Sequence, residues 1–350
     1  MLKNLKHSIV FILIIITLLF VVVMSLAASK PVPSINTAAV SAKNGNESKY
    51  AKWSGLGMHI YPSWESYVDI MLAYGFTDLA MGYADYENMA YLATSKASVI
   101  NIIAKGARVT WGITAGNINT ITAANWNAYR LAILDGAQWA EDNGVCEFSI
   151  GNECEHYNDD TTLTDAQLRT NLKSVATEVQ AIFTNGNISY SCSNQTTMIN
   201  AWIAAGRGDI DILAFNIYKG GASDPDYDLS YQDRIDSIIT AFGSEHTYIS
   251  EFNVSYTSLE HYSADESVQA AALTEMIDYI KASGITRAIW FMWKDDATAY
   301  FGVMKDDGTY RLLWNQALLN TDSIKFATVP TKTTAASLPN TIALIPRITK

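Results

Sequence analysis

The sequence predicts an α/β protein, a (β/α)8 TIM barrel in a single domain. Between residues 55 and 320, short apolar runs typical of strands alternate eight times with longer stretches that have helical spacing. Several of the helical stretches end in an Asn-Gly or Ser-Gly pair just before the next strand. An open, doubly wound sheet is the alternative, but the turn after the first strand, "HIYPSWES", has no glycine-rich phosphate loop. The closed barrel is therefore favoured.

The predicted strands are apolar, with polar residues gathered toward their carboxyl ends. A chain of 350 residues that is 49% hydrophobic can bury a core of this size. In order, the strands cover residues 55–61, 77–83, 108–114, 146–153, 187–193, 211–218, 247–253 and 286–293.

The helical segments lie between these strands and carry recognisable end signals. The clearest covers residues 165–184, where apolar side chains recur every three or four positions. Thr164 and Gln167 form a capping box before it, and Ser263 and Glu266 form another before the last long helix. Three helices are expected to end at a left-handed glycine: Gly144, Gly186 and Gly284.

Residues 1–29 have the pattern of an export signal. Lys3 and Lys6 precede an unbroken apolar run at residues 9–24, and small residues suited to cleavage follow. The protein is thus expected to be secreted. Extending the apolar run to residues 9–28 makes it long enough for the alternative, an uncleaved membrane anchor.

The remaining boundaries follow from composition. Residues 30–50 lack apolar periodicity and are expected to be a linker, residues 51–320 form the barrel domain, and residues 321–350 are an irregular tail rich in Thr, Ala and Pro. The net charge is −11 without a lysine- or arginine-rich run, so a nucleic-acid partner is not expected. No cofactor is expected, and the oligomeric state stays open.

The cysteines show no metal-ligand spacing, so no metal is expected either. Placing the fourth and fifth strands side by side brings Cys154 near Cys192, which suggests a disulfide in an exported protein. Three buried free thiols, with Cys146 as the third, are the alternative.

Two glutamates fall at strand ends. Glu153 ends the fourth predicted strand, and Glu251 lies near the end of the seventh. In a (β/α)8 barrel the carboxyl ends of all strands surround one mouth, where the chemistry takes place. Two carboxyl groups that converge in a cleft are what glycoside hydrolysis requires.

The motif "IGNE" at the fourth strand, with a glutamate at the seventh, resembles the retaining glycoside hydrolases of clan A, which include β-glycanases, cellulases and mannanases. The resemblance covers roughly residues 54–320 and does not identify a family within the clan. It implies that Glu153 is the acid/base, Glu251 the nucleophile, and Asn152 a ligand of the sugar 2-hydroxyl. It also implies that Tyr218 lies beside the nucleophile and that Trp293 forms the floor of the adjacent subsite.

The chain departs from the clan at two positions. Many members carry a histidine two residues before the strand-6 tyrosine, where this chain has Asn216, which is kept as a candidate substrate ligand. Many also carry an arginine near the end of the second strand, and "DLAMGYADY" has none.

Aromatic residues collect at the predicted mouth, where their faces could pack on sugar rings. As a set they favour an endo-acting β-glycanase, with an exo-acting glycosidase as the alternative. The absence of a basic patch fits a neutral or partly neutral polysaccharide such as glucan or mannan. His59 and His156 lie near the same end and are further candidate ligands. The aromatic set is Tyr61, Tyr83, Trp111, Tyr157, Tyr218, Tyr256 and Trp293.

Two other functions fit the same barrel. One is a non-catalytic carbohydrate-binding or surface protein, against which the presence of both glutamates argues. The other is a Schiff-base lyase, for which Lys219 is the candidate nucleophile because it directly follows the sixth strand. The acidic residues Glu155, Asp159 and Asp160 are expected to form a solvated loop rather than a calcium site.

Overall fold

The chain folds as the (β/α)8 barrel that the sequence predicts. None of the helices in the described part of the chain combines the length and hydropathy that a membrane crossing needs. The predicted segments 1–29, 30–50 and 321–350 lie outside that part. The computed structural model describes residues 55–115, 121–155, 162–219, 230–254, 266–295, 301–305 and 307–312.

Eight parallel strands form the barrel. β1 pairs with both β2 and β9, β2 pairs with β4, and the sheet runs in order from β4 to β9, so it closes on itself. The short β3 pairs only with β4, so the fourth barrel strand is β5 and the seventh is β8. The strands are β1 (Gly55–Ile60), β2 (Asp78–Met81), β3 (Ala84–Asp85), β4 (Arg108–Thr114), β5 (Glu147–Asn152), β6 (Asn187–Cys192), β7 (Ile212–Lys219), β8 (Thr247–Val254) and β9 (Arg287–Trp290).

Helices connect successive strands and cover the outside of the barrel. A 3₁₀ helix, Pro62–Tyr67, leads into the first of them. The apolar stripe of α4 faces the sheet, with Leu168, Leu172 and Val175 fully buried. The helices are α1 (Val68–Ala73), α2 (Met89–Ala104), α3 (Trp126–Asp142), α4 (Asp165–Gln180), α5 (Thr196–Ala205), α6 (Tyr231–Phe242) and α7 (Glu266–Ala282).

Most of the local signals are confirmed. Thr164 and Gln167 form the predicted capping box, although α4 ends at Gln180 and not at residue 184. Gly144 and Gly284 adopt positive φ angles of 75° and 86°.

Gly186 is a glycine for a different reason from the one predicted, since it is not among the residues with positive φ. A Cβ at this position would collide with the carbonyl oxygen of Cys146. The chain therefore needs glycine here because two backbone segments approach each other closely. Ser263, the other predicted cap, lies outside the described residues.

The amino-terminal end of the barrel is closed inside by a buried ionic network. Arg287, Asp78 and Glu147 are each the first residue of a strand, and their side chains meet in the interior. The guanidinium donates to Asp78 at 2.6 Å and to Glu147 at 2.8 Å. It also stacks 4.0 Å from the ring of Tyr248, whose hydroxyl donates to Glu147 at 2.6 Å. Burial alone would lower the pKa of Arg287, but the two carboxylates raise it, so the arginine stays charged.

We expect Arg287→Met to lower the free energy of unfolding by about 3–5 kcal/mol, because it leaves Asp78 and Glu147 buried without their cation. The matched control is Arg130→Met, whose partly exposed pair with Glu178 lies on the outer helices. That change should cost about 1 kcal/mol or less. Urea denaturation measures both, and equal losses would contradict this account of the interior network.

Candidate active site

Glu153 and Glu251 lie at the same mouth of the barrel. Glu153 directly follows β5, and Glu251 lies three residues before the end of β8. Glu153 is partly exposed, whereas only 7% of Glu251 is exposed. Both positions belong to the carboxyl ends of their strands, where side chains from different strands can converge.

One strand binds both carboxyl groups. Asn216 Nδ2 donates to Glu153 Oε1 at 2.8 Å, and the Tyr218 hydroxyl donates to Glu251 Oε2 at 2.5 Å. Asn216 and Tyr218 are two residues apart on β7, so they share a face and lie about 6.6 Å apart along the strand. The two glutamates therefore meet across a single site.

Irregular pairing of the strands accompanies this arrangement. The register between β7 and β8 shifts between Phe215 and Asn216, and that between β8 and β9 shifts between Ile249 and Phe252. Such irregularities redirect side chains next to them. As a result Ser250, the neighbour of Glu251, also reaches β7, where its Oγ donates to Asn216 Oδ1 at 2.8 Å.

That hydrogen bond fixes the orientation of the Asn216 amide. With Oδ1 taken by Ser250, the Nδ2 group faces Glu153 and also lies 3.3 Å from Asn152 Oδ1. Asn216 is fully buried, so its amide is a fixed support. In the position where many clan members have histidine, this chain thus has an amide that holds Glu153 and its neighbour Asn152.

The backbone at Glu153 has an unusual conformation. Its φ of +49° is the only positive value at a non-glycine residue in the described chain. The Glu153 N–H donates to the Ser191 carbonyl at 2.8 Å, and the Cys154 N–H donates to the Tyr190 hydroxyl at 3.0 Å. Strain of this kind persists only where the surroundings fix it, and it clusters at functional sites.

The buried carboxyl group of Glu155 supports this turn through Tyr190. The Tyr190 hydroxyl donates to Glu155, and Arg169 lies 3.8 Å from the other oxygen of that carboxyl. Burial raises the pKa of Glu155. Glu155 is thus a buried structural partner, and the prediction that it belongs to a solvated loop is wrong.

The two candidate catalytic carboxyls are electrostatically coupled. Burial, and then the charge of Glu153, raise the pKa of Glu251 to about 8, while the hydrogen bond from Tyr218 opposes this shift. Two carboxylates in a shared site avoid a double negative charge by retaining a proton. The pair therefore holds one proton at neutral pH.

Aromatic and imidazole rings line the wall from β9 to β2. The ring of His59 lies 5.2 Å from Tyr61 and 4.9 Å from Phe291, and Phe291 lies 6.2 Å from Tyr218. Burial lowers the pKa of His59 to about 3, so the imidazole is neutral. Its Nδ1 has no hydrogen-bond partner among the described residues.

Tyr83 occupies the region after the second strand, where many clan members have an arginine. Its hydroxyl is 2.7 Å from Ser191 Oγ. Burial, and then the negative charge of Glu251, raise the pKa of Tyr83 above its usual range. The Tyr83 hydroxyl is therefore close enough to Glu251 to interact with its charge. Tyr83 therefore stays neutral.

Two aromatic residues predicted at the mouth lie elsewhere. Trp293 is fully buried and packs 5.9 Å from Tyr67 and 6.1 Å from Tyr310, so it does not form the floor of the site. Because β9 ends at Trp290, the half-buried Phe291 is the first residue past the strand, and it lies beside Tyr218. Sequence reasoning missed Phe291 because the predicted strand ends at residue 293, three residues beyond the observed end at Trp290.

Trp111 points away from the barrel axis. It is fully buried, its Nε1 donates to Ser95 on α2 at 2.8 Å, and its ring packs 4.7 Å from Trp139 on α3. The alternation of side chains along β4 directs it to the helices, so the prediction that it lies at the mouth is wrong.

Other predicted features are absent or cannot be placed. Cys146, Cys154 and Cys192 are free, so the predicted bridge between the last two does not form. Lys219 forms a 2.6 Å ion pair with Glu275 on α7 and lies over the ring of Tyr231, away from the mouth, which argues against a Schiff-base lyase. The predicted site residues His156, Tyr157 and Tyr256, with Asp159 and Asp160, lie outside the described residues.

Solved glycoside hydrolases share the fold. An exo-beta-1,4-mannosidase from Opitutaceae bacterium strain TAV5 has a TM-score of 0.61 at 14% identity, over 79% of this chain and 62% of that one. An endocellulase from Pyrococcus horikoshii has a TM-score of 0.56 at 11% identity, over 77% and 92%. The catalytic domain of the major endoglucanase from Xanthomonas campestris pv. campestris has a TM-score of 0.53 at 13% identity, over 77% and 94%.

These likenesses show the barrel fold, since all three identities are low. The chain spans 62% of the mannosidase's length and more than nine-tenths of the endocellulase's and the endoglucanase domain's. No protein-family model matches the sequence, and no curated protein matches it.

We expect Glu251→Gln to stabilise the protein more at pH 8 than at pH 5. The pKa of Glu251 rises from 4.5 to about 8 on folding, so between these values the folded state keeps a proton that the unfolded state releases. Wild-type stability therefore falls as pH rises through this window, by on the order of 1–3 kcal/mol, and the glutamine variant lacks this loss.

Thermal unfolding at the two pH values measures the difference. Glu275→Gln is the control, because Lys219 lowers the pKa of this exposed carboxyl and both test pH values lie above it. Equal effects of Glu251→Gln at pH 5 and pH 8 would show that the pair is not coupled as described.

Proposed function

We propose that this protein is a retaining glycoside hydrolase, with Glu251 as nucleophile and Glu153 as general acid/base. The observation that carries the proposal is the convergence of both carboxyls on two adjacent inward side chains of β7, Asn216 and Tyr218. Their electrostatic coupling provides one proton and one negative charge, which are the two species that the first step consumes.

The reaction has two displacements. In the first, the Glu251 carboxylate attacks the anomeric carbon, the glycosidic bond breaks, and Glu153 transfers its proton to the departing oxygen. In the second, Glu153 removes a proton from water, the water oxygen bonds to the anomeric carbon, and Glu251 leaves as a carboxylate. Glu153 ends the cycle protonated, so the pair returns to its starting state.

The first step uses the form of the pair in which Glu153 carries the shared proton and Glu251, whose own pKa burial raises to about 8, is ionised. Donation from Tyr218 stabilises the ionised form of Glu251, which is the form that attacks. Asn216 donates to Oε1 of Glu153, which a protonated carboxyl can accept at its carbonyl oxygen while Oε2 carries the proton. Asn152, held by Asn216, is the proposed ligand of the sugar 2-hydroxyl.

The substrate is proposed to be a β-linked glucan or mannan, cleaved within the chain. The rings of Tyr61, Tyr83 and Phe291 surround the neutral imidazole of His59, and such a wall suits uncharged sugar rings. Of the similar structures, one is described as an exo-beta-1,4-mannosidase, and an endocellulase and an endoglucanase act within the chain, as proposed here. We further propose that residues 1–29 export the protein or, through residues 9–28, anchor it to the membrane.

Glu251→Ala is expected to reduce reducing-sugar release from β-glucans and mannans by roughly 10³-fold or more, because the nucleophile is lost. Binding of the same oligosaccharide, measured by calorimetry, should persist. Glu275→Gln, on the outside of the barrel, should retain full activity. Wild-type rates in Glu251→Ala would refute the assignment, and binding by a wild-type protein that cleaves none of the panel would favour a carbohydrate-binding protein.

The pH dependence of kcat/KM should show an alkaline limb near pH 8, where the pair loses its remaining proton. In Glu153→Gln this limb should disappear when the substrate is an aryl glycoside with an acidic leaving group, because that group departs without protonation. Natural polysaccharide should be cleaved by this variant at least roughly 10²-fold more slowly. An unchanged alkaline limb in Glu153→Gln would contradict the shared-proton account.

A further inference from the structure

A buried arginine on α6 holds the end of β7. Arg234 is 1% exposed, and its guanidinium lies beneath the strand ends. Its Nη1 donates to the carbonyl and side-chain oxygens of Asn194, at 2.7 and 2.5 Å. Its Nη2 donates to the carbonyl oxygen of Tyr218 at 2.9 Å. One side chain thus joins the turn after β6 to the last residues of β7.

Asn194 also binds the backbone of Tyr218. Its Oδ1, which accepts from Arg234, also accepts from the Tyr218 N–H at 3.0 Å. Both backbone polar groups of Tyr218 are therefore bound by the unit of Arg234 and Asn194. The hydroxyl at the other end of the same residue donates to Glu251.

We propose that Arg234 is a positioning residue for the nucleophile, acting through Tyr218. This inference rests on the proposed function, in which Glu251 attacks the sugar. Tyr218 has only two side-chain torsions, so fixing its backbone leaves its hydroxyl little freedom. Because that hydroxyl binds Glu251, the orientation of Glu251 depends on the hydrogen bonds of Arg234 to this segment. The hydrogen bonds of Arg234 given above go to Asn194 and to the backbone of Tyr218, so its proposed effect on Glu251 is indirect.

The geometry explains why an arginine is used. The guanidinium is planar, and its two terminal nitrogens point to two different chain segments at once. Lysine offers a single ammonium group and cannot hold both segments with the same precision. Methionine matches the length of the arginine stem but donates to neither.

The test compares Arg234→Met, Tyr218→Phe and the double variant. Each single change should lower kcat about 10-fold or more while KM changes little, because a hydrogen bond to the nucleophile is lost or misaligned. Since the Tyr218 hydrogen bond lowers the pKa of Glu251, both changes should move the alkaline limb to higher pH. The double variant should be no slower than Tyr218→Phe alone, because both act on one contact.

Arg207→Met is the matched control. Arg207 also donates to a backbone carbonyl, that of Ile210 at 2.8 Å, but it lies before β7 at the opposite end of the barrel. This variant should leave kcat and the pH profile unchanged. Additive losses in the double variant, or an Arg234→Met profile like that of Arg207→Met, would overturn the proposal.

Two further variants serve if Arg234→Met does not fold. Arg234→Lys and Asn194→Ala should each show the same upward shift of the alkaline limb with a smaller loss of kcat. The stabilising effect of Glu251→Gln between pH 5 and pH 8 gives a readout that needs no activity, and it should grow in the Arg234→Lys background. If that effect grows while no glycan is cleaved, the positioning stands and the proposed function fails. If it does not grow, the positioning is wrong.

Discussion

Mutual repulsion between the carboxyl groups of Glu153, which is partly exposed, and Glu251, which is buried, is the constraint on which this site depends. Burial makes a second negative charge expensive, and the pair responds by retaining a proton with an apparent pKa near 8 on Glu251. Such a pair is useful only if both groups stay in place. Asn216 and Tyr218 achieve this from one strand, and each is fixed in turn by neighbours that do not face the mouth.

The two ends of the barrel interior differ in the groups that bind their carboxylates. At the amino-terminal end, Arg287 neutralises Asp78 and Glu147, and the result is a closed, satisfied network. At the carboxyl-terminal end, the donors to the two glutamates are the neutral side chains of Asn216 and Tyr218, which do not cancel a negative charge. The contrast fits a barrel whose base provides stability and whose mouth provides chemistry.

Much of this arrangement could be predicted from the sequence, because periodicity and strand ends are local signals. The predicted ends of the eight barrel strands agree with the observed ends to within three residues, and both glutamates stand out by their positions near strand ends. The misplaced aromatics share one cause: the face of a side chain depends on strand register and length to a single residue. Trp111 alternates outward on β4. A last strand predicted to end at residue 293, where the observed one ends at Trp290, puts Trp293 at the mouth in place of Phe291. The hydrogen bond from Arg234 to the backbone of Tyr218 joins α6 to β7, and no local pattern in the sequence indicates it.

Covalent labelling tests the central claim most directly. A 2-deoxy-2-fluoro glycoside of glucose or mannose, with a fluoride leaving group, should slow the second displacement and trap the sugar on the nucleophile. Intact-mass and peptide analysis should then show one sugar per chain, attached to Glu251. Turnover of such a glycoside with net inversion at the anomeric carbon, or a label on another residue, would contradict the account.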